Sequence, residues 1–162
     1  MGDPRETERL AELDRFEVLD TPPEPLFDSL TELAARTFEV PICLISLVDQ
    51  DRQWFKSRVG LDVESTPRGI SFCQHAILSD DVFVVRDASR DERFRENPLV
   101  VGSPDIRFYA GAPLITARGH RLGTLCIIDR APRETFSPAE AARLHALADS
   151  VMQALVLRMD SR

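Results

Sequence analysis

The sequence predicts an α+β domain built on one antiparallel sheet, and three observations lead to this class. Short runs rich in branched apolar residues are separated by turn residues, as strands are. Apolar spacing typical of helices is concentrated at the two ends of the chain. Gly119 stands between two such runs and supplies the positive φ of a tight hairpin. With 162 residues and 43% hydrophobic content, the chain has the size and composition of a single core.

Two helices are predicted before any strand and one after the last. The first, at 6–19, is amphipathic, and the prolines that follow it remove backbone donors and end it. The second, at 27–38, runs up to Pro41. The last, at 138–159, begins with Ser137 as its N-cap and a proline in its first position.

The middle of the chain predicts strands and an irregular insertion. A capping box formed by Ser71 and Gln74 opens a short helix that runs to about Leu78. The polar segment 86–102 is too long for a turn, and segments of that length tend to be functional. The predicted strands are 42–48, 53–59, 82–85, 105–116 and 121–129.

Composition excludes several classes of function. The net charge of −7, the pI near 5.0 and the scattered basic residues exclude a nucleic-acid partner. No apolar run approaches the length of a membrane span, and the charged N-terminus lacks a secretory signal, so we expect no membrane insertion and a cytoplasmic protein. Three widely spaced cysteines without a C-x-x-C pair indicate reduced thiols rather than a disulfide framework or a zinc site.

Four stretches occur in an order that resembles the GAF domain of bacterial sensor histidine kinases and diguanylate cyclases. They are Ser46-Leu47-Val48-Asp49 with Gln53-Trp54-Phe55-Lys56-Ser57, Ser71 to Ile77, Arg107 to Leu114, and Gly123 to Asp129. The resemblance implies a profilin-like antiparallel sheet of five to six strands, with the N- and C-terminal helices on one face. A short helix and loops would form a ligand pocket on the other face. It divides the chain into an N-terminal helix and linker, 1–23, and a sensory domain, 24–160.

The resemblance also implies a pocket that binds a small molecule and regulates an attached kinase or cyclase output domain. On a strand, Arg107 and Tyr109 share one face, and their guanidinium and phenol groups suit a carboxylate, a phosphate or a purine edge. Alternatively, Arg107 pairs with Asp87 or Asp91 and pins the long segment. The expected ligand-binding residues are Trp54, Phe72, Cys73, His75, Asp87, Phe94, Arg107 and Tyr109.

Cys73 leaves two interpretations open. At the start of a short helix its thiol is either activated or a buried small side chain. Its position resembles one of the cysteines of free methionine sulfoxide reductases, but Cys43 and Cys126 lie in apolar runs typical of inert core thiols, so no relay is expected. Neither a bilin nor a metal is expected. We therefore predict a regulatory domain that is not an enzyme, with a cysteine-based redox sensor or a methionine sulfoxide reductase-like enzyme as the alternative.

The last helix carries two adjacent apolar stripes, which favour a homodimer through the terminal helices. One stripe would cover the sheet, and the other would meet a second subunit together with the face of the first helix that carries Leu10, Leu13 and Phe16. A single wide core stripe is the alternative. A further alternative function is a dimerisation module that binds no ligand. The stripes are Leu144, Leu147, Val151 and Ala154, and Ala148, Met152, Leu155 and Met159.

Overall fold

A computed structural model describes residues 3–161 as a six-stranded sheet with helices on both faces. All neighbouring strands are antiparallel, and their order is β3-β2-β1-β6-β5-β4. This confirms the predicted fold class. The strands are β1 Ile42–Val48, β2 Arg52–Val59, β3 Ser65–Pro67, β4 Phe83–Val85, β5 Phe108–Ile115 and β6 Arg121–Asp129.

Within residues 3–161, five α-helices accompany the sheet, three long and two of a single turn. The last opens with the capping box of Ser137 and Glu140, in which both reciprocal hydrogen bonds are present. Gly119 has the predicted positive φ, 84°, in the hairpin between β5 and β6. The helices are α1 Pro4–Arg15, α2 Pro25–Phe38, α3 Cys73–Ala76, α4 Pro98–Val101 and α5 Pro138–Asp160.

Several predicted boundaries were wrong for local reasons. Helix α1 ends four residues early because Glu17 and Asp20 take left-handed φ angles of 50° and 62°. Strand β5 begins at Phe108 rather than Asp105, whose φ is 61°. The capping box at Ser71 forms only by half, since the Gln74 side chain donates to Gly69 O. Strand β3 was not predicted, because three polar or proline residues carry no alternating pattern.

Helices α1, α2 and α5 cover one face of the sheet and form the larger core. Leu13 and Phe16 of the first helix segment lie inside it, at 0% and 2% exposure, so they offer no surface to a second subunit. Both stripes of α5 also contribute to this core, with Leu147 and Met159 partly buried at its margin. The wide single stripe is therefore the arrangement that the structure shows, and a second subunit would have to contact other residues.

A bulge in β2 directs two consecutive polar side chains toward the helices. The register with β1 shifts between Ile45 and Ser46, opposite Lys56. As a result, Lys56 contacts the α1–α2 connection while the next residue, Ser57, donates to Asp28 of α2 at 2.6 Å. The bulge thus ties the edge of the sheet to the helical layer.

Candidate functional site

A second core fills the opposite face of the sheet, beneath α3 and the segment 86–107. Its centre is an aromatic cluster, in which Phe94 stacks on Phe72 at 4.0 Å between ring centroids and 9° between ring planes. The His75 ring meets the edge of Phe94 at 4.9 Å, and the Tyr109 ring lies 5.2 Å from Phe72. The aromatic cluster comprises Phe72, His75, Phe83, Phe94 and Tyr109.

Only a small cavity, about 20 Å³, remains between this cluster and the sheet. Known small-molecule pockets have volumes of about 300–1,000 Å³, so an organic ligand does not fit this conformation. The volume suits one molecule the size of water. The lining residues are Leu44, Gln53, Phe72, Cys73, Leu99, Ile106, Tyr109, Cys126 and Ile128.

Polar groups converge on the Cys73 thiol at the sheet side of this cavity. Cys73 Sγ lies 3.1 Å from Thr124 Oγ1 and 3.2 Å from Tyr109 Oη. The Cys126 side chain lines the same cavity and interacts electrostatically with Cys73. Ser46 is adjacent, but its hydroxyl donates to Gln53 Oε1 at 2.8 Å, so its proton is not available to the thiol. Two hydroxyl groups therefore lie within hydrogen-bond distance of one sulfur atom.

These contacts shift the pKa values of the two thiols in opposite directions. Burial by itself raises the pKa of Cys73, but the interactions with Cys126, Thr124 and Tyr109 outweigh burial and lower the pKa. Burial, and then the interactions with Cys73, raise the pKa of Cys126 well above its ordinary value. Burial likewise raises the pKa of Tyr109, which keeps its hydroxyl as a donor. The opposite shifts favour ionisation of Cys73 over Cys126.

Comparison with known proteins establishes the family. The family model described as "GAF domain" matches residues 22–155. The chain belongs to the GAF family. A protein of Pseudomonas aeruginosa named as a cyclic di-GMP phosphodiesterase is 48% identical over 147 residues, which make up 91% of this chain and 25% of that protein. The chain thus spans about a quarter of the length of this curated relative.

Solved structures confirm the GAF fold. The GAF domain of an Acinetobacter phosphoenolpyruvate-protein phosphotransferase superposes with a TM-score of 0.66 at 21% identity, covering 96% of this chain and 95% of that one. A free methionine-R-sulfoxide reductase from Neisseria meningitidis superposes with a TM-score of 0.68 at 18% identity, covering 100% and 96%. At these identities the likeness concerns the fold alone.

Five of the eight predicted ligand-binding residues of this GAF domain lie together around the second core. They are Phe72, Cys73, His75, Phe94 and Tyr109. Burial, followed by the positive charge of Arg93, lowers the pKa of His75. Arg93 itself lies over the rings of Phe83 and Phe94, at 5.1 and 5.2 Å from their centroids. The segment 86–107 thus closes over the aromatic cluster from outside.

The other three predicted residues lie elsewhere. Trp54 points to the helical face and is part of the larger core, so the sheet separates it from Cys73. Arg107 donates to Val100 O and Ile106 O, both at 2.9 Å. It therefore holds the segment 86–107 through carbonyl groups, and not through the expected pairing with Asp87 or Asp91. Asp87 accepts from the backbone and hydroxyl of Ser89 and faces an open cleft on the outer side of the segment.

Sequence reasoning missed three polar residues of the site and one large cleft. Thr124 and Cys126 alternate with buried apolar residues of β6, and this period of two could have revealed that they share a face. Gln53 shares the same side of the sheet on β2. On the helical face, an open cleft of about 570 Å³ lies between β2 and the α1–α2 connection, with Trp54 and Lys56 in its wall.

A buried ion pair at this cleft connects the sheet with the ends of the helices. The side chain of Lys56 is 0% exposed, and its Nζ contacts Glu24 Oε2 at 2.5 Å, Thr21 Oγ1 at 2.8 Å and Pro22 O at 2.6 Å. Glu24 also accepts from Arg158 Nε at 2.7 Å, near the end of α5. Arg158 in turn donates to Phe16 O and Glu17 O at the end of α1. We call Lys56, Glu24 and Arg158 the junction.

Among residues 3–161, no helix combines the length and apolar character needed to cross a membrane.

Proposed function

We propose that this GAF domain is a sensory module of bacterial signal transduction, of the two-component or cyclic di-GMP type, which regulates an output domain in the cytoplasm. The family and the relative named as a cyclic di-GMP phosphodiesterase support this assignment. We assign regulation rather than catalysis, because in this closed conformation the Cys73 thiol faces a cavity too small for an organic substrate.

The observation that carries the proposal is the junction. A change in the sheet that moves Lys56 displaces Glu24, and Glu24 is bonded to Arg158 on α5. Arg158 holds the end of α1 as well. Charge-assisted bonds are short and geometrically specific, so a displacement of one member of the junction would strain its bonds to the others. The signal therefore travels from the sheet to the terminal helices.

The input to this path is a small molecule bound beneath the segment 86–107. Opening this segment would withdraw Phe94 and expose Phe72, Cys73, His75 and Tyr109. The closed state lowers the apparent affinity for a ligand, because only the fraction of molecules with the segment open can bind it. The small cavity also favours a second candidate, a module that dimerises without a ligand.

Homodimerisation through the terminal helices is part of the proposal. Large apolar side chains are exposed on α2 and α5, which pack against each other. They are Leu26, Leu33, Val156 and Leu157, at 52%, 49%, 40% and 62% exposure, and we call them the apolar helix face. Val156 and Leu157 directly precede Arg158, so movement at the junction changes this face.

A chimaera tests the regulatory role. The matching segment of the Pseudomonas phosphodiesterase is replaced by this chain, and hydrolysis of cyclic di-GMP is measured. We expect Glu24→Gln to change the rate several-fold, while Asp20→Asn, which alters an exposed ion pair with Arg52, leaves it unchanged. Equal rates for all three folded chimaeras would contradict the proposal. Native mass spectrometry of the freshly purified domain adds a test of ligand binding, because a retained small molecule appears as extra mass.

A further inference from the structure

The Cys73 and Cys126 thiols come from different elements and meet at one cavity. Cys73 lies on α3 and Cys126 on the central strand β6, and both line the 20 Å³ space beneath Phe72. Cys43, the remaining cysteine, is buried in the helical core on the other side of the sheet. We propose that Cys73 and Cys126 are a peroxide-sensing pair, in which hydrogen peroxide oxidises Cys73 and Cys126 closes a disulfide.

The contacts of Cys73 suit the nucleophile. A thiolate, not a thiol, attacks peroxide, and Cys73 carries the lowered pKa. The hydroxyl groups of Thr124 and Tyr109 lie 3.1 and 3.2 Å from the sulfur, where they would donate to a thiolate. Cys43 provides the contrast, because burial raises the pKa of its thiol to about 12. Two buried cysteines of one domain thus differ strongly in reactivity.

The cavity selects the oxidant by size. A space of about 20 Å³ accepts a molecule close to water in size, as hydrogen peroxide is, but no amino acid or organic hydroperoxide. In this closed conformation, free methionine sulfoxide therefore does not fit beside Cys73. Hydrogen peroxide needs proton donors for its leaving oxygen, and the hydroxyl groups of Thr124 and Tyr109 are placed beside the sulfur.

The chemistry balances in two steps. The Cys73 thiolate attacks one oxygen of hydrogen peroxide, an S–O bond forms, and the O–O bond breaks. The departing hydroxide takes a proton and leaves as water, so Cys73 becomes a sulfenic acid. The Cys126 sulfur, which gives up its proton, then attacks the Cys73 sulfur and displaces hydroxide, which leaves as a second water. Two thiols lose two electrons, and one peroxide is reduced to two waters.

The disulfide would act on the segment 86–107 through α3. Phe72, next to Cys73, stacks on Phe94, and His75 meets the edge of the same ring. A bond from Cys73 to β6 fixes this end of the aromatic cluster against the sheet. The proposal concerns the thiols alone and holds whether or not the domain regulates an output.

Mass spectrometry of the intact domain tests the pair. The reduced, folded protein is treated with hydrogen peroxide, its remaining thiols are alkylated in denaturant, and peptides are mapped without reduction. We expect a Cys73–Cys126 disulfide with only Cys43 alkylated, and Cys73 oxidation roughly tenfold faster than that of Cys43. Two results with the wild-type protein would overturn the proposal. One is oxidation of all three cysteines at the same rate, and the other is the absence of a disulfide between Cys73 and Cys126.

Three variants assign the roles. Cys43→Ser should leave the disulfide and its rate unchanged. Cys126→Ser should stop the reaction at a sulfenic acid on Cys73, which dimedone captures, and Cys73→Ser should abolish peroxide consumption at this site. Circular dichroism confirms that each variant is folded. Dimedone capture at Cys126 in the Cys73→Ser variant, at the wild-type rate, would reverse the assignment of the nucleophile and refute it.

Discussion

The ammonium group of Lys56 is completely buried and is neutralised by the carboxylate of Glu24, whose own side chain is 36% exposed. Burial by itself raises the pKa of Glu24, but the hydrogen bonds from Lys56 and Arg158 outweigh it and lower the pKa. A buried cation without its anion is costly, because the interior cannot replace the lost hydration. Glu24 is therefore required for stability as well as for the proposed coupling.

Replacing Glu24 by Gln should lower the free energy of unfolding by about 1–2 kcal/mol. The loss is smaller than the roughly 3–5 kcal/mol of a fully buried pair, because water reaches Glu24 and Lys56 keeps two neutral acceptors. Urea denaturation at pH 7 measures it. Asp20→Asn removes the partner of the more exposed Arg52 and should cost less than about 1 kcal/mol. Equal losses in the two variants would show that burial of Lys56 does not matter.

Acid should destabilise the domain partly through Glu6. Hydrogen bonds from Arg9 and then Arg68 outweigh partial burial and lower the pKa of Glu6 from 4.5 to about 2. A carboxylate whose pKa is lower when folded stabilises the protein above pH 4.5, and this contribution disappears as the pH falls toward 2. Wild type should therefore exceed Glu6→Gln in stability at pH 7, and the difference should shrink between pH 4.5 and 2.

Chemical denaturation at a series of pH values follows this difference. Glu8→Gln, on the exposed side of the same helix, is the control and should stay within about 0.5 kcal/mol of wild type throughout. A difference between wild type and Glu6→Gln that is constant from pH 7 to pH 2 would mean that the Glu6 charge does not contribute.

Gly111 leaves room for the phenol of Tyr109. A methyl group at position 111 would overlap the Tyr109 hydroxyl, which is fully buried against Cys73. Gly111→Ala should therefore cost about 1–3 kcal/mol and displace the phenol. Displacement removes one donor from the thiolate, so peroxide should oxidise Cys73 more slowly.

Gly69→Ala is the control, since a methyl group there meets nothing within 4 Å. Equal stability of the two variants would disprove the close packing.

Phe94 fills the space of the proposed ligand site. Its side chain is 1% exposed and stacked on Phe72. Truncation to Ala should cost about 3–5 kcal/mol and leave a dry cavity that binds benzene, detectable by a rise in melting temperature. Val101→Ala, at a residue 69% exposed on α4, should change stability by less than about 0.5 kcal/mol and bind no benzene. A Phe94→Ala variant as stable as wild type would show that the segment 86–107 does not close the site.

The sequence allowed the fold to be predicted more fully than the site. Turn residues, proline positions and apolar periodicity are local signals, and four of the five α-helices and five of the six strands followed from them; α4, inside the polar segment 86–102, was not predicted. In this chain, the local sequence does not show toward which face of the sheet a strand residue points. Strand β1 is buried at all seven positions because both faces of the sheet carry a core, so no polar side marks the outside.

Trp54 illustrates the consequence. Its aromatic side chain suggested a pocket wall, yet the neighbouring Gln53 faces the cavity and Trp54 faces the helices. The same lack of a polar face made Cys126 look like an inert core thiol. Its role depends on Cys73, 53 positions away, which α3 brings onto β6 only in the folded chain. Contacts between distant elements decide such sites.

The apolar helix face gives the last prediction, a homodimer that depends on α2 and α5. Leu33→Glu and Leu157→Glu place charges at exposed positions, so each monomer should remain folded while a dimer would bury the charge without a partner. We expect wild type to sediment as a dimer and both variants to shift toward monomer, with a dissociation constant raised at least tenfold.

Leu78→Glu is the matched control, because Leu78 is 74% exposed but follows α3 on the opposite side of the sheet. A dimer that tolerates both helix variants but not Leu78→Glu would place the interface beside the aromatic cluster. A wild-type monomer at tens of micromolar would exclude a stable dimer of this domain alone. Because Leu157 precedes Arg158, dissociation by Leu157→Glu would also connect the interface to the junction that Glu24 forms with the sheet.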